Sequence, residues 1–294
     1  MNTTIYKIRL EVAADQGAAV AGAIEPFVDS VTWSADEDDP TSTVVAFAEG
    51  PPDRAALTRA LAALGQPSFT IERVTGHDWL AENKAAFPPI REGRFFIHVA
   101  DYAGPFPSGV VRLRVPPAGA FGSGRHGSTQ GCLRALDGLG RLPPGPMLDM
   151  GCGSGILGLA AAKVWRRPLL GVDIDPRAIR ETLANARANG VAAFIDAVTA
   201  RGYAHAAVQR RRYALIFANI LAKPLMRMAE DTTDALKPGG TVILSGLLLN
   251  EAQAVAARHR AAGLVLQRRI QVEGWATLVM RKPAPRSPAS RRCG

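Results

Sequence analysis

The most constraining feature of this 294-residue chain is a glycine-rich turn between an apolar strand and a helix. In MLDMGCGSGILGLA, residues 147–160, an apolar segment precedes Gly151, Gly153 and Gly155, and an apolar helical pattern follows them. Glycine tolerates positive φ and lets a ligand approach the backbone without hindrance from a Cβ atom. In a doubly wound sheet, the first turn of this kind is where a nucleotide moiety lies. The sequence therefore predicts an α/β fold that binds a nucleotide-like ligand.

Strand and helix patterns alternate over residues 113–283, which is typical of a mostly parallel sheet with helices on both faces. The last two strands of this region lie close together after the final helix, and we expect them to form an antiparallel pair at one edge of the sheet. Residues 1–75 follow the order βαββαβ of a ferredoxin-like α+β module. We interpret residues 76–112 as a linker, and residues 284–294, rich in Pro, Ser and Arg, as a disordered basic tail.

Charge is distributed unevenly along the chain, whose formal net charge is +9. Residues 1–75 carry 5 basic and 11 acidic side chains, a net charge of −6, and the remaining residues carry a net charge of +15. An acidic module can recruit a basic macromolecule by electrostatic steering. Two solvated surfaces of different composition explain the same pattern, so charge alone leaves the partner open.

The cysteines and histidines indicate the cellular compartment and whether a metal site is to be expected. Cys132, Cys152 and Cys293 form neither a disulfide framework nor a C-x-x-C pair, which favours a reducing compartment. The five histidines have no metal-ligand spacing, so we predict no metal site. The N-terminal residues alternate like a half-buried strand rather than a signal peptide, and no apolar stretch reaches membrane-spanning length. We expect a cytoplasmic monomer that does not bind membranes.

The residues around the glycine turn discriminate between nucleotide-like ligands. Residues 153–158 formally match the dinucleotide motif G-x-G-x-x-G, but counted from Gly151 the third motif position falls on Ile156. Asp149 precedes the turn, and Asp173 ends the next strand, where a carboxylate accepts hydrogen bonds from ribose hydroxyls. Carboxylates attract a sulfonium and an amino group and repel a pyrophosphate. The pattern favours S-adenosylmethionine, with a dinucleotide oxidoreductase as the alternative.

A second glycine-rich segment, AFGSGRHGST at residues 120–129, imitates a P-loop but lacks its lysine. We interpret it as a lid over the cofactor. Phe121 would pack near the cofactor, and Thr129, at the start of a helix, would hydrogen-bond its methionine end. We interpret His126 as a residue that orders this loop, with a general-base role as the alternative.

The segment FANILAKPL, residues 217–225, predicts the place of methyl transfer. Asn219 falls at the carboxyl end of a strand, where its amide and the next carbonyls, those of Ile220 and Leu221, would orient an attacking amine. Many amino methyltransferases carry N-P-P-Y or N-P-P-F here, whose aromatic ring stacks on a nucleobase. This chain has Ala222 at that position. The pattern favours a flexible alkyl amine over a nucleic-acid substrate.

Taken together, these segments resemble the bacterial ribosomal protein L11 methyltransferases (PrmA). The resemblance extends over nearly the whole chain and includes HDWL, FPPIREGRFFI, GVDIDPRAI, NARANGV and LKPGGTVILSGLL. It implies a Rossmann-like class I methyltransferase domain with a mostly parallel seven-stranded sheet over residues 113–283, and S-adenosylmethionine as the cofactor. It also implies transfer of methyl groups to lysine ε-amines and the N-terminal α-amine of a large-subunit ribosomal protein. The acidic front domain would recognise this basic partner.

The resemblance implies cofactor contacts for Thr129, Gly151, Asp173 and Asn219, and the sequence pattern adds the other residues of the site. The expected cofactor-binding residues are Phe121, Thr129, Asp149, Gly151, Gly153, Asp173, Ile174 and Asn219, and the expected catalytic residues are Asn219, Ile220 and Leu221. The family usually reads G-T-G-T-H-P-T-T at the lid, whereas this chain has Arg125 for Thr and Gly127 for Pro. Two alternatives stay open: a methyltransferase for another protein or a small-molecule amine, and an inactive cofactor-binding module.

Overall fold

The computed structural model describes residues 4–13, 15–35, 40–65, 68–74, 88–100, 102–116 and 126–284. The chain forms two compact units, residues 1–88 and residues 89–294. The predictions for Phe121, Arg125, most of the tail and residues 76–87 of the linker lie outside the described residues.

The first unit is a four-stranded antiparallel sheet with two helices. Its elements are β1 (Ile5–Ala13), α1 (Gly17–Ile24), β2 (Ser30–Ala35), β3 (Thr41–Glu49), α2 (Arg54–Leu61) and β4 (Phe69–Val74). The strand order is β2-β3-β1-β4, and each neighbouring pair is antiparallel. Asp53 caps α2 by accepting hydrogen bonds from the backbone N–H groups of Ala55 and Ala56. This topology is the predicted ferredoxin-like one.

The second unit contains a seven-stranded sheet in the order β10-β9-β8-β11-β12-β14-β13. The first five of these strands are parallel, and β14 is antiparallel to both neighbours. This confirms the predicted Rossmann-like sheet with an antiparallel edge pair. Its elements are β5 (Ile90–Glu92), β6 (Phe95–His98), β7 (Val111–Arg114), α3 (Gly127–Asp137), β8 (Met147–Met150), α4 (Ile156–Trp165), β9 (Leu169–Asp173), α5 (Pro176–Ala188), β10 (Ile195–Thr199), α6 (Ala206–Gln209), β11 (Tyr213–Asn219), α7 (Ala222–Arg227), α8 (Ala229–Ala235), β12 (Leu236–Leu248), α9 (Ala252–Ala261), β13 (Val265–Val272) and β14 (Trp275–Arg281).

Alternate residues of the central strands enter two separate cores, because successive side chains of a strand point to opposite faces of the sheet. Met147, Leu215 and Phe217 pack on one face with α3, α4 and α5. Leu148 and Ile216 pack on the other face with residues of α6 to α9. With both faces covered, the carboxyl edge of the parallel strands is left for a ligand.

The strands β5, β6 and β7 correct the predicted linker of residues 76–112. They form a three-stranded sheet. Phe95 and Leu113 from it are fully buried in the same core as α3 and α4. Arg134 of α3 donates a hydrogen bond to the buried Glu92 carboxylate at 2.6 Å. Residues 89–112 therefore belong to the second unit. The segment GRFFIHVA, residues 93–100, is strand-like in the sequence, but strands of three or four residues do not show with which unit they pack.

His259 of α9 makes the stability of this unit dependent on pH. Its side chain is fully buried, and neither ring nitrogen has a hydrogen-bond partner of normal geometry among the described residues. Burial lowers the pKa of the imidazole to about 4; the charge of Arg258 acts in the same direction and the backbone of Leu225 opposes it. Above pH 6.5 the imidazole is neutral in the folded and unfolded states, so it adds no pH dependence there.

We therefore expect wild type to lose stability relative to His259→Leu as the pH falls from 6.5 to 4. Over this window the unfolded chain binds the proton and the folded chain does not, and the relative loss amounts to about 3 kcal/mol. Urea unfolding of both proteins at several pH values measures it, with the difference at pH 7.5 as the reference. A difference between the two proteins that stays constant down to pH 4 would contradict the assignment.

Candidate active site

The glycine turn after β8 has the backbone conformation that its sequence predicts. Gly151, Gly153 and Gly155 have φ angles of +72°, +52° and +80°. The N–H groups of Gly151 and Cys152 both donate to the carbonyl oxygen of Val172, at 2.7 and 3.1 Å. The turn is therefore fixed to the end of β9, and it leads directly into α4.

Asp173, the last residue of β9, connects the turn to the next helix. One carboxylate oxygen accepts the Gly153 N–H, and the other accepts the Asp175 N–H, both at 3.0 Å. The side chain is half-buried, and each carboxylate oxygen has a further lone pair for a ligand. The next residue, Ile174, is 65% exposed and offers an apolar surface beside this carboxylate.

Asp149 lies beneath the turn and away from solvent. Its side chain is 2% exposed, and its Oδ2 accepts the Gly158 N–H at 3.0 Å. Burial raises the pKa of this carboxyl to about 8, the charge of Asp173 adds to the shift, and the Gly158 hydrogen bond opposes it. A carboxyl whose charged form is disfavoured by burial attracts a sulfonium less than an exposed carboxylate does. The placement supports an anchoring role beneath the turn, which differs from the expected electrostatic contact with the cofactor.

Two residues that the sequence reasoning missed hold the turn from below. Thr182 Oγ1 donates to the Gly153 carbonyl, and Asn185 Nδ2 donates to the Ser154 carbonyl, both at 2.9 Å. Both side chains are buried on one face of α5 at i, i+3 spacing. In the sequence, the feature that could have identified them is that two polar residues stand among the apolar positions on one side of a helix.

Asn219 lies at the carboxyl end of β11, as predicted. Its Nδ2 is 3.4 Å from the Oγ1 of Thr129, which is buried on the first turn of α3. Its Oδ1 accepts no hydrogen bond from any of the described residues. Ser245, another residue that the sequence reasoning missed, donates to the Ser128 carbonyl at 3.1 Å and pairs with the Thr277 hydroxyl at 2.8 Å. The start of α3 is thus fastened to β11, β12 and β14.

His126 precedes α3 and packs against the hairpin between β13 and β14. Its ring centroid is 4.2 Å from that of Trp275, and its Nδ1 lies 2.8 Å from Ser128 Oγ. Burial lowers the pKa of His126, and the charge of Glu273 opposes the shift. These contacts hold the His126 ring between the first turn of α3 and the hairpin.

Ile220 is held by a close backbone approach from β12. Gly246 has a φ of +78°, and a Cβ atom there would lie 2.6 Å from the Ile220 carbonyl oxygen and 2.9 Å from its carbon. Gly190, with a φ of +69°, has no atom within 4 Å of an added Cβ. An L side chain would be strained by the positive φ at both glycines, but an added Cβ would clash with a neighbouring residue at Gly246 and not at Gly190.

We expect Gly246→Ala to lower the melting temperature clearly more than Gly190→Ala does, and to lower methyl transfer with it. Both substitutions cost on the order of 1 kcal/mol or more for an L side chain at positive φ. Only Gly246→Ala also displaces the Ile220 backbone beside Asn219. Scanning calorimetry and a methyl-transfer assay on the two variants check this, and equal melting temperatures would show that the contact is unimportant.

Two other kinds of site are absent from the described residues. In these ranges no three His, Cys, Asp or Glu side chains come together as metal ligands would. No helix within them has the length and apolar character that a membrane crossing requires.

The carboxyl edge of the sheet thus brings together the glycine turn, the Asp173 carboxylate with Ile174, and Asn219 with Thr129. Ribose hydroxyls suit the carboxylate, an adenine ring suits the isoleucine, and the turn admits the chain that joins them. These features define a class I S-adenosylmethionine-dependent methyltransferase. Sequence comparison is more specific: a model of the family described as "Ribosomal protein L11 methyltransferase (PrmA)" matches residues 26–283. The chain belongs to this family.

Individual relatives agree with this assignment. The ribosomal protein L11 methyltransferase of Caulobacter sp. (strain K31) is 39% identical over 273 residues, which are 90% of this chain and 93% of that protein. That of Rhodopseudomonas palustris (strain BisB5) is 39% identical over 231 residues, 78% of each chain. The crystal structure of a ribosomal protein L11 methylase from Lactobacillus delbrueckii subsp. bulgaricus matches with a TM-score of 0.60 and 26% identity. The match covers 67% of this chain and all of that one.

Proposed function

We propose that this chain transfers methyl groups from S-adenosylmethionine to lysine ε-amines and the N-terminal α-amine of ribosomal protein L11. The observation that carries the proposal is the position of Asn219. Its amide is oriented by Thr129 at 3.4 Å, on the same sheet edge as the glycine turn and Asp173. The family assignment supports methyl transfer to L11. A function in the cytoplasm, where ribosomal proteins are made, accords with this substrate.

The residues at the sheet edge fit the cofactor. In the proposed site Asp173 would hold the ribose hydroxyls, Ile174 would offer an apolar surface to the adenine, and the backbone of Gly151 and Gly153 would allow close approach of the ligand. Thr129, on the first turn of the 11-residue helix α3, lies where a helix N-terminus favours a carboxylate. S-adenosylmethionine, when bound, supplies a methyl group on a sulfonium, an electrophile that a neutral amine attacks.

The acceptor nitrogen must be neutral to attack. At pH 7 this costs about 4.6 kcal/mol for a lysine of pKa about 10.4, and about 1 kcal/mol for an α-amine of pKa about 7.7. We propose that Asn219 Oδ1 and the carbonyl of Ile220 accept hydrogen bonds from the two N–H groups of the neutral amine while its lone pair attacks the methyl carbon. The ammonium ion that forms then loses a proton to water. The carbonyl of Leu221 already accepts the Leu225 N–H at 3.3 Å at the start of α7, so it has no part in this proposal. Proximity and exclusion of water then supply much of the rate. If both kinds of amine react, their positions and not their pKa values select the sites.

Mapping the modified amines tests the finer part of this proposal. Purified L11 from a strain without this enzyme is incubated with the protein and isotope-labelled S-adenosylmethionine, then digested and analysed by mass spectrometry. We expect label on lysine side chains and on the N-terminal residue. Label on other side chains alone would contradict amine methylation, and label on a different ribosomal protein in a mixed sample would reassign the substrate.

A further inference from the structure

Exposed apolar side chains of the second unit concentrate at one edge of the sheet. Among its described residues, the large hydrophobic side chains that are exposed are Ile174, Leu221, Leu248, Leu249 and Val265. All but Val265 lie at or just after the carboxyl ends of β9, β11 and β12. The segments before β9 and β11 end instead in Arg167–Pro168 and Arg211–Arg212. The exposed apolar surface therefore faces the edge that carries the site.

Three of these side chains lie where the adjacent strands β11 and β12 end. We call Leu221, Leu248 and Leu249 the leucine collar. The pairing of β11 with β12 places Asn219 beside Ser245, and the Ile220 N–H donates to the Ser245 carbonyl at 3.2 Å. Leu221 and Leu248 are 72% and 47% exposed, and Leu249 is 39% exposed. Leu221 thus lies two residues after Asn219, and Leu248 lies three residues after Ser245, the residue that pairs with Asn219.

Charged groups of both signs border the collar. Arg269 donates to the Leu249 carbonyl at 3.1 Å, and the exposed Lys223 follows Leu221 by two residues. The carboxylate of Glu251 already accepts the Leu248 N–H at 2.9 Å. The apolar surface of the collar, rather than a net charge, is therefore what can distinguish one amine from another.

We propose that the leucine collar binds the aliphatic chain that carries the acceptor amine, and so favours lysine ε-amines over amines without a long chain. The inference rests on the proposed function for its amine substrate, and it assigns Leu248 and Leu249 as specificity-determining residues. Each methylene buried on apolar surface contributes about 0.8 kcal/mol, which corresponds to about a fourfold change in affinity. A lysine side chain has enough methylenes to cross the collar.

Binding of simple alkylamines tests the collar without any ribosomal protein. The full-length protein is saturated with S-adenosylhomocysteine and titrated with propylamine, butylamine, pentylamine and hexylamine at one pH in a calorimeter. We expect the dissociation constant to fall about two- to fourfold with each added methylene. An affinity that does not depend on chain length would overturn the proposal.

A double variant, Leu248→Ser with Leu249→Ser, identifies the surface responsible. We expect it to remove most of the chain-length dependence and to leave the affinity for S-adenosylhomocysteine unchanged, which also shows that it is folded. Val265→Ser is the matched control, because this valine is 48% exposed on β13, where the strand begins. An equal loss in the control, or full dependence in the double variant, would contradict the assignment.

The methylation pattern of L11 separates this inference from the function on which it rests. The double variant should lower the rate at lysine side chains at least tenfold and the rate at the N-terminal α-amine much less. An equal loss at both kinds of amine would overturn the collar and leave the proposed function intact. Wild type that binds longer alkylamines more tightly but does not methylate L11 would uphold the collar and refute the proposed function.

Discussion

Asn219→Ala is expected to lower the turnover number for methyl transfer about 100-fold. Removal of one pre-oriented polar group that acts on the reacting atoms typically costs this much. The Asn219 amide is held toward Thr129, so that its Oδ1 is available to an incoming amine. In the alanine variant no side-chain amide lies at the end of β11 to accept the amine N–H. Single-turnover measurements with L11 and saturating S-adenosylmethionine measure the effect on the chemical step.

A companion variant, Thr129→Val, separates orientation from contact. Valine keeps the shape of the buried side chain and removes the oxygen that Asn219 Nδ2 approaches. We expect a loss of turnover that is clearly smaller than that of Asn219→Ala, because the amide is still present but less well oriented. If Asn219→Ala kept more than half of the wild-type turnover, the segment would have no catalytic role and the acceptor site would have to be sought elsewhere.

Asp173→Ala is expected to weaken the binding of S-adenosylhomocysteine about 100-fold or more. Hydrogen bonds to a charged group contribute about 1.5–3 kcal/mol each, and the carboxylate would lose those to the ribose hydroxyls. The substitution would also remove the hydrogen-bond acceptor of the Gly153 and Asp175 N–H groups, which donate to the Asp173 carboxylate at 3.0 Å. The loosened turn adds to the loss. Isothermal titration calorimetry gives the dissociation constants directly.

Asp196→Ala provides the matched control for Asp173→Ala. This aspartate is exposed on the neighbouring strand β10, three residues before the position that pairs with Asp173. The substitution makes the same change in net charge, and we expect wild-type affinity. If the two variants bound S-adenosylhomocysteine with similar affinity, Asp173 would act through its charge alone and not as a hydrogen-bond acceptor for the ribose.

The fold was predictable because its local signals agree. The strand and helix periods, the Asp53 cap and the glycine turn all favoured the arrangement that the structure has. The place of residues 89–112 in the second unit was harder to predict, since β5, β6 and β7 have only three or four residues each. Burial of Phe95 and Leu113 in the core of that unit shows where these strands belong. Burial depends on the rest of the chain and is not visible in so short a segment.

The site was predictable where a residue's position in a strand fixes its place. Asp173 and Asn219 end two strands of the sheet, so their presence at the carboxyl edge follows from topology. The supporting groups were not predictable, because Thr182 and Ser245 make their hydrogen bonds across elements far apart in sequence. For Asp149, the sequence shows its position two residues before Gly151 but not its burial, which depends on the packing of the whole sheet.

The most direct test of the account is the intact mass of L11 from cells with and without this enzyme. L11 is purified from a strain in which the gene is deleted and from the same strain carrying it on a plasmid. We predict that the protein from the complemented strain is heavier by a whole number of methyl groups, and that the Asn219→Ala gene leaves most of the protein unmodified. Identical masses from the deletion and complemented strains would contradict the account.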